Sequence, residues 1–342
     1  MPSDLISRAR LAALLDGARG KHIAIIGDAM LDVYLRGDVD RVSPEAPVPV
    51  VRVRERKFAL GGAANVAQNV IAAGGRADLV AAIGKDEAGR QVREMLRELG
   101  ADSGGLVITD RPTTTKTRVM AKSQQLLRVD EERDDDLDAG DAARVADAAL
   151  AAVARADAVV FEDYNKGLLV ESLITITMSA ARAKKIPVVV DPKYKNFFAY
   201  AGATIFKPNR RELESAMGAA VDLDHPDALP GVVEGLGADA LLLTLSERGM
   251  ALIERGNTGA APAGATRGVH RIPTTAREVY DVVGAGDTVT AYLAAMLAAG
   301  ATPLESAIIS NFAAGVEVRK SGAATVSAAE VLAAYDQHLA ER

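Results

Sequence analysis

Short apolar runs recur along the chain, separated by longer stretches whose apolar positions follow a helical period. His22-Ile-Ala-Ile-Ile-Gly27 is such a run, compact and ending in glycine, the pattern of a strand buried on both faces. Ala77–Ile83, Ala158–Phe161, Pro187–Val190 and Ala240–Leu245 read the same way. Between them the pattern predicts helices over Ala63–Ala73, Glu87–Leu99, Gly140–Arg155, Ser172–Lys184 and Pro226–Leu236. Three more helices close the chain, at Gly286–Ala299, Pro303–Val318 and Ala328–Leu339. Strands alternating with helices predict an α/β fold, a doubly wound and mainly parallel sheet with helices on both faces.

Two stretches break that alternation. Residues 33–57 contain Val48-Pro-Val-Val-Arg-Val-Arg54, and residues 113–130 contain Thr113-Thr-Thr-Lys-Thr-Arg-Val119 and Leu126-Leu-Arg-Val129. Apolar and charged residues alternate there, as in half-exposed strands. They predict a small β-sheet lid, inserted in two pieces into a single domain of residues 1–342. The acid-dense run Asp130–Asp138 that follows reads as a solvated turn.

Composition narrows the chemistry. The 342 residues are 49% apolar and carry a formal charge of −6, which gives no reason to expect nucleic acid or an anionic membrane surface as partner. Cysteine is absent, so disulfides, thiolate nucleophiles and cysteine-held metals are excluded. The N-terminal stretch has an acid at Asp4 and reads as an amphipathic helix rather than a signal peptide. A soluble, cytoplasmic protein without a membrane partner is expected.

Asp281-Val-Val-Gly-Ala-Gly-Asp-Thr288 leads straight into a strongly helical run. Gly284, Ala285 and Gly286 permit a sharp turn, and the free amides of the helix's first turn then form an anion hole. Asp287 stands beside those donors, where it can accept a proton from an attacking hydroxyl. An isolated turn of this kind would read as a helix cap. The full string resembles the second signature of the PfkB (ribokinase-like) carbohydrate kinase family, in which this aspartate is the base. Leu60-Gly-Gly-Ala-Ala-Asn-Val-Ala67 resembles the family's first signature, with Gly61, Gly62 and Asn65 on the sugar side.

The resemblance implies further roles. Asp32, and Asp28 beside it, would bind sugar hydroxyls. Asn209 and Glu212, in Lys207-Pro-Asn-Arg-Arg-Glu212, would help hold Mg²⁺ through water, and they also read as an N-cap and its capping-box partner. Ser246, Gly249 and Asn311 would contact ATP, and Asp281 with the Val283 carbonyl would form a K⁺ site. Neither a Gly-x-x-x-x-Gly-Lys-Ser/Thr loop nor the protein-kinase motifs occur, which excludes those kinase classes.

Val42-Ser-Pro-Glu-Ala-Pro-Val-Pro-Val50, Thr115-Lys-Thr-Arg118, Gln124-Gln125, Asp163-Tyr-x-Lys-Gly167 and Asp191-Pro-Lys193 resemble the D-glycero-β-D-manno-heptose 7-phosphate kinases of ADP-heptose synthesis. That implies transfer from ATP to the C1 hydroxyl. Arg118, Lys166 and Lys193 are the candidate cations for the substrate's own phosphate. None of the four histidines stands in the His-x-Gly-His motif of the nucleotidyltransferase fused to some relatives, so a stand-alone kinase is expected, working as a homodimer through its lid. The alternatives are a kinase for fructose 6-phosphate or ribose, and a non-catalytic sugar-phosphate-binding regulator.

Overall fold

The computed structural model describes residues 6–122, 124–223, 229–255, 269–276 and 278–341. Helix α1 (Arg8–Gly17) leads into β1 (His22–Gly27), and β2 (Ala29–Val42) starts one residue later. Then come β3 (Pro49–Gly62), α2 (Ala63–Ala72), β4 (Arg76–Gly84), α3 (Glu87–Glu98) and β5 (Asp102–Thr109). The hairpin β6 (Thr115–Ala121) and β7 (Gln124–Glu131) precedes α4 (Ala139–Arg155), β8 (Ala158–Glu162), α5 (Glu171–Lys184) and β9 (Val188–Asp191). After β10 (Ile205–Phe206) and α6 (Arg210–Met217) follow α7 (Leu229–Leu236), β11 (Ala240–Thr244), β12 (Met250–Glu254) and β13 (Val269–Ile272). Helices α8 (Ala285–Ala298), α9 (Pro303–Glu317) and α10 (Ala328–Ala340) finish the chain.

Nine strands form one sheet in the order β13-β12-β11-β10-β9-β8-β1-β4-β5. It is parallel from β5 to β11, and β12 and β13 run antiparallel at one edge. Alternate residues of β1 serve two cores. Ile23 and Ile25 pack on the side of α2, α8 and α9, whereas Ala24 and Ile26 pack on the side of α4 and α5. This is the doubly wound α/β arrangement expected from the chain's alternation, with helices on both faces. The sequence pattern missed β5, β10, β12 and β13. The first holds two glycines, the second is two residues long, and the last two form an antiparallel edge without intervening helices. The predicted helix at Pro226–Leu236 begins in part outside the described residues, which take it up at Leu229.

The second sheet has the order β3-β2-β6-β7. Its strands extend beyond the stretches 33–57 and 113–130, because β2 rises directly from the end of β1 and β3 runs into α2 without a loop. Strand alternation gives this sheet two different faces. Leu31, Val33, Leu35 and Phe58 line an apolar groove toward α3, and Asp32, Lys116, Arg118 and Arg128 face a cavity above the main sheet.

Candidate active site

The cavity, about 370 Å³, opens above the C-terminal ends of the parallel strands, between them, the N-terminus of α8 and the polar face of the small sheet. Ligands of open α/β sheets bind at this end. Before α8, the Asp281 carboxylate accepts the Val283 amide at 3.1 Å and the Gly322 amide at 2.9 Å. That clasp fixes the turn. Gly284 then adopts φ +95°, and an added Cβ would press on the Asn65 side-chain amide at 2.9 Å. Gly284 is the N-cap of α8, no side chain caps this end, and Ala285 and Gly286 occupy the first helical positions. First-turn amides point out of a helix, so this terminus offers donors to an anion.

Asp287 follows in the same turn and is nearly buried. Its Oδ2 accepts from Asn65 Nδ2 at 2.6 Å, and its Oδ1 accepts from the Tyr164 hydroxyl at 3.0 Å. Each partner donates, so the carboxylate is oriented in its ionised form. Burial pushes its pKa up to about 6, and the nearby Asp191 adds to the rise, while the bonds from Asn65 and Tyr164 and the charge of Lys207 oppose it. A carboxylate poised near 6 ionises at neutral pH yet keeps useful basicity.

Beneath Asp287 lies a charge cluster at the strand ends. Lys207 Nζ pairs with Asp191 Oδ2 at 2.7 Å, and both residues line the cavity. A Cβ added to Gly286 would lie 3.9 Å from that ammonium, so the cation stands beside the turn. Burial works to lower the Lys207 pKa, but Asp191 and Glu162 outweigh it and the net shift is upward. Glu162 is wholly buried, and neither of its oxygens finds a hydrogen-bond partner among the described residues. Burial, then the charges of Asp191 and Asp287, push its carboxyl well above the usual range.

On one side of Asp287, Asn209 and Glu212 begin α6 as a complete capping box. The Asn209 side chain accepts the Glu212 amide at 2.9 Å, and Glu212 accepts the Asn209 amide at 2.8 Å. The second Glu212 oxygen binds the Lys193 ammonium, which also lies 5.3 Å from the centre of the Tyr164 ring. Lys193 therefore sits with the residues expected to face metal and nucleotide, not with the lid. On the other side, Gly61 and Gly62 end β3 at the cavity wall. Gly62 has φ +55°, and a side chain there would collide with the Asp28 carbonyl. Asp32 reaches the cavity from β2, where its Oδ1 holds Arg118 Nη1 at 2.5 Å.

Other candidates lie elsewhere. The Asp28 carboxylate accepts the backbone amides of Tyr164 and Lys166 at 2.8 and 3.1 Å, turned away from the cavity toward a small cleft. Burial, with the charge of Asp163, pushes its pKa up to about 6. Lys166 lines the same cleft and pairs with Glu132 at 2.8 Å. Ser246 and Gly249 lie in the turn between β11 and β12, and Thr244, just before it, lines the cavity. Asn311 donates to the Pro273 carbonyl at 2.9 Å and ties α9 to the segment after β13.

Residues 21–330 match the family described as pfkB family carbohydrate kinase. The chain belongs to that family. It is thus a phosphotransferase with a sugar hydroxyl as acceptor. A bifunctional protein HldE from Caulobacter sp. (strain K31) is 45% identical over 332 residues, which cover 96% of this chain and 66% of that protein. Its namesake from Rhodospirillum rubrum is 42% identical over 330 residues, covering 96% of this chain and 64% of the relative. The kinase chain thus spans about two thirds of the length of these relatives. Among solved structures, Escherichia coli phosphofructokinase-2 superposes with a TM-score of 0.74 at 18% identity, covering 93% of this chain and 99% of that one. Arabidopsis thaliana ribokinase, complexed with ribose and ATP, gives 0.70 at 19% identity over 92% and 99%. These two show the fold.

Sequence reasoning passed over Tyr164, Lys207, Glu162, Lys116 and Arg128 as site residues of the pfkB kinase. For Glu162 a signal existed, since it directly follows the apolar run Ala158–Phe161, whereas Lys207 follows the two-residue β10 that the pattern missed. The Tyr164 contact with Asp287 spans 123 positions and leaves no trace in any local pattern.

Proposed function

We propose that the protein transfers the γ-phosphoryl group of ATP to the C1 hydroxyl of D-glycero-β-D-manno-heptose 7-phosphate, giving the 1,7-bisphosphate for ADP-heptose synthesis. The observation that carries this reading is the position of Asp287, between a wall suited to phosphates and a wall suited to a sugar. In this reading Asp287 takes the proton of the attacking hydroxyl, held in place by Asn65 and Tyr164. The first-turn amides of α8 and the Lys207 ammonium face the charge that spreads over the phosphoryl oxygens. Asp32, Gly61 and Gly62 leave room and acceptors for the sugar ring.

ATP and Mg²⁺ fit the residues present. Glu212 keeps outward lone pairs for a hydrated ion once Lys193 shifts to a phosphate, and Asn209 stands beside it. Bound there, Mg²⁺ would neutralise phosphate charge. K⁺ beside Asp281 and the Val283 carbonyl is the remaining cofactor proposal. The motifs around Tyr164 and Lys193, together with identities of 42–45% to the HldE proteins, support the heptose acceptor. Phosphorus NMR of the product from heptose 7-phosphate and ATP tests it. A new anomeric phosphate signal is expected, whereas transfer only to fructose 6-phosphate or ribose in a substrate panel overturns it.

A homodimer through the lid belongs to the same proposal. Val53, Leu127 and Val129 are exposed on the small sheet, Val48 is exposed just before it, and β3 and β7 are its open edges. Val50 on β3 and Val119 on β6 are half-exposed. Light scattering should give twice the chain mass, and a monomer mass at every concentration contradicts it.

A further inference from the structure

A side-chain amide can meet a carboxylate either way round: through its nitrogen it donates, and through its oxygen it repels. Asn65 meets Asp287 through Nδ2, at 2.6 Å, and the residues behind it explain why. Asn65, Gln68 and Asn69 stand at i, i+3 and i+4 of α2 and so share a face of that helix. Val66, Ala67 and Val70 pack into the core beside them. Asn69 is wholly buried, and its Nδ2 donates to the Asn65 backbone carbonyl at 3.0 Å and to Asn65 Oδ1 at 3.1 Å. Gln68 Nε2 donates to the same Oδ1 at 2.5 Å.

The order of constraint starts at the backbone. A main-chain carbonyl can only accept, so the Asn69 amide must turn its nitrogen toward Asn65. That nitrogen also reaches Asn65 Oδ1, where Gln68 adds a second donor. With its oxygen engaged twice, Asn65 has only its nitrogen for Asp287. Turned over, it would set Oδ1 against the Asp287 carboxylate and its own nitrogen against two donors. Asn69 Oδ1, in contrast, is buried without a hydrogen-bond partner among the described residues. Packing alone would favour an apolar side chain there, so the retained amide points to the work of its nitrogen.

We propose that Gln68 and Asn69 are positioning residues for the base, holding the Asn65 amide in the one orientation that donates to Asp287. This rests on the reading of Asp287 as the base and holds for any acceptor sugar. Tyr164 steadies the other carboxylate oxygen from a separate segment. The charges facing Asp287 also come from elsewhere: Glu162 of β8, Asp191 of β9, Lys207 just after β10 and Glu317 of α9. Gln68 and Asn69 are neutral, so replacing them with apolar residues alters an orientation and leaves those charges in place.

Steady-state kinetics across pH test this, with ATP and heptose 7-phosphate, or fructose 6-phosphate should the heptose not react. Gln68→Met/Asn69→Leu strips both donors from Asn65. Its kcat at pH 7 should fall about tenfold, and the acid limb of kcat/KM should move up by about one pH unit, as for loss of a hydrogen bond to a charged group. In an Asn65→Ala background the same double change should add nothing, because the amide that it steers is gone. Should the double variant lose its fold, as read from the denaturant midpoint, Gln68→Glu at its half-buried position takes its place. There an acceptor replaces a donor and draws the Asn65 nitrogen away from the base, so the limb should again move up, and again not with Asn65→Ala. A limb that stays in place, or one that still moves when Asn65 is alanine, would overturn the positioning role, since the second result reports charge or packing alone. Asp287→Asn with wild-type turnover would overturn it together with the base. Failure of heptose 7-phosphate as acceptor would sink the heptose reading only, and the comparison would then be decided with fructose 6-phosphate.

Discussion

The two ends of the cavity are built by opposite means. At the α8 end the charged groups are buried: Asp287, Lys207, Asp191 and Glu162 come from one helix and the ends of adjacent strands. At the small-sheet end the charges stand on alternate positions of a half-exposed sheet and are paired with carboxylates that water also reaches. Burial is what shifts Asp287 and Glu162 upward, whereas on the small sheet burial of Asp130 and Glu132 is outweighed by their bonds to Lys116, Arg128 and Lys166 and the net shift is downward. The contrast assigns different work to the two ends. Groups fixed in a dry place can tune a proton transfer, whereas groups on a wet sheet can exchange one anion for another at low cost. Substitutions at the first end should therefore act on turnover and stability, and those at the second on acceptor affinity.

The sharpest break would come from Asp287→Asn. The amide keeps the shape but cannot take the proton, so kcat should fall by roughly 10²–10⁴-fold, the usual worth of a positioned general base. Both KM values should stay within a few-fold. Turnover near that of wild type would remove the reacting end from the comparison altogether. Next in size is Lys207→Met, which leaves Asp191 and Glu162 facing each other without their cation. Breaking a buried pair of this kind costs about 3–5 kcal/mol, to be read from denaturant midpoints at pH 7. Arg128→Ala should leave the midpoint nearly unchanged, since exposed pairs contribute about 0–1 kcal/mol. Equal midpoints for the two variants would mean that burial is not what separates the ends.

The same contrast explains what could be read along the chain. The small-sheet face was legible as an alternation of charged and apolar residues from Thr115 to Val119, although its cations were only in part assigned. The glycine turn before Asp287 was legible because its chemistry is local, a helix N-terminus with glycines ahead of it. The partners of Asp287 were not. Asn65, read as a sugar contact, donates to Asp287 across 222 positions, and Tyr164 joins them from the end of β8. Those meetings depend on sheet order, which sets β8 beside β1 and β9. No period in the chain encodes that order. Lys193 shows the same limit, since its position after a strand was read without knowing that α6 brings Glu212 to it.

A smaller effect separates metal from sugar within the reacting end. Glu212→Gln keeps most of the capping box but weakens the attraction for a hydrated cation. The Mg²⁺ concentration for half-maximal rate should rise several-fold, with the sugar KM unchanged. Overlaying Mg²⁺ titrations would leave Glu212 with its cap and its lysine only.

The finest test concerns the pH at which the reacting end fails. The proposed mechanism requires ionised Asp287, so kcat/KM should fall as pH drops through about 6, the value to which burial pushes this carboxyl. The Tyr164 hydroxyl opposes that push by donating to the ionised form. Tyr164→Phe removes the donor and keeps the ring beneath Lys193, so the acid limb should move to higher pH. A hydrogen bond to a charged group is worth about 1.5 kcal/mol at its lower range, and hence about one pH unit. Above pH 8 the base is ionised in both proteins, and there the rates should converge to within a few-fold. A loss of equal size at every pH would mean that Tyr164 shapes the cavity without acting on the base. Arg128→Ala, at the wet end, should lower kcat/KM with the sugar phosphate while leaving the acid limb where it is. A limb that moved in both variants would show the two ends to be one electrostatic unit.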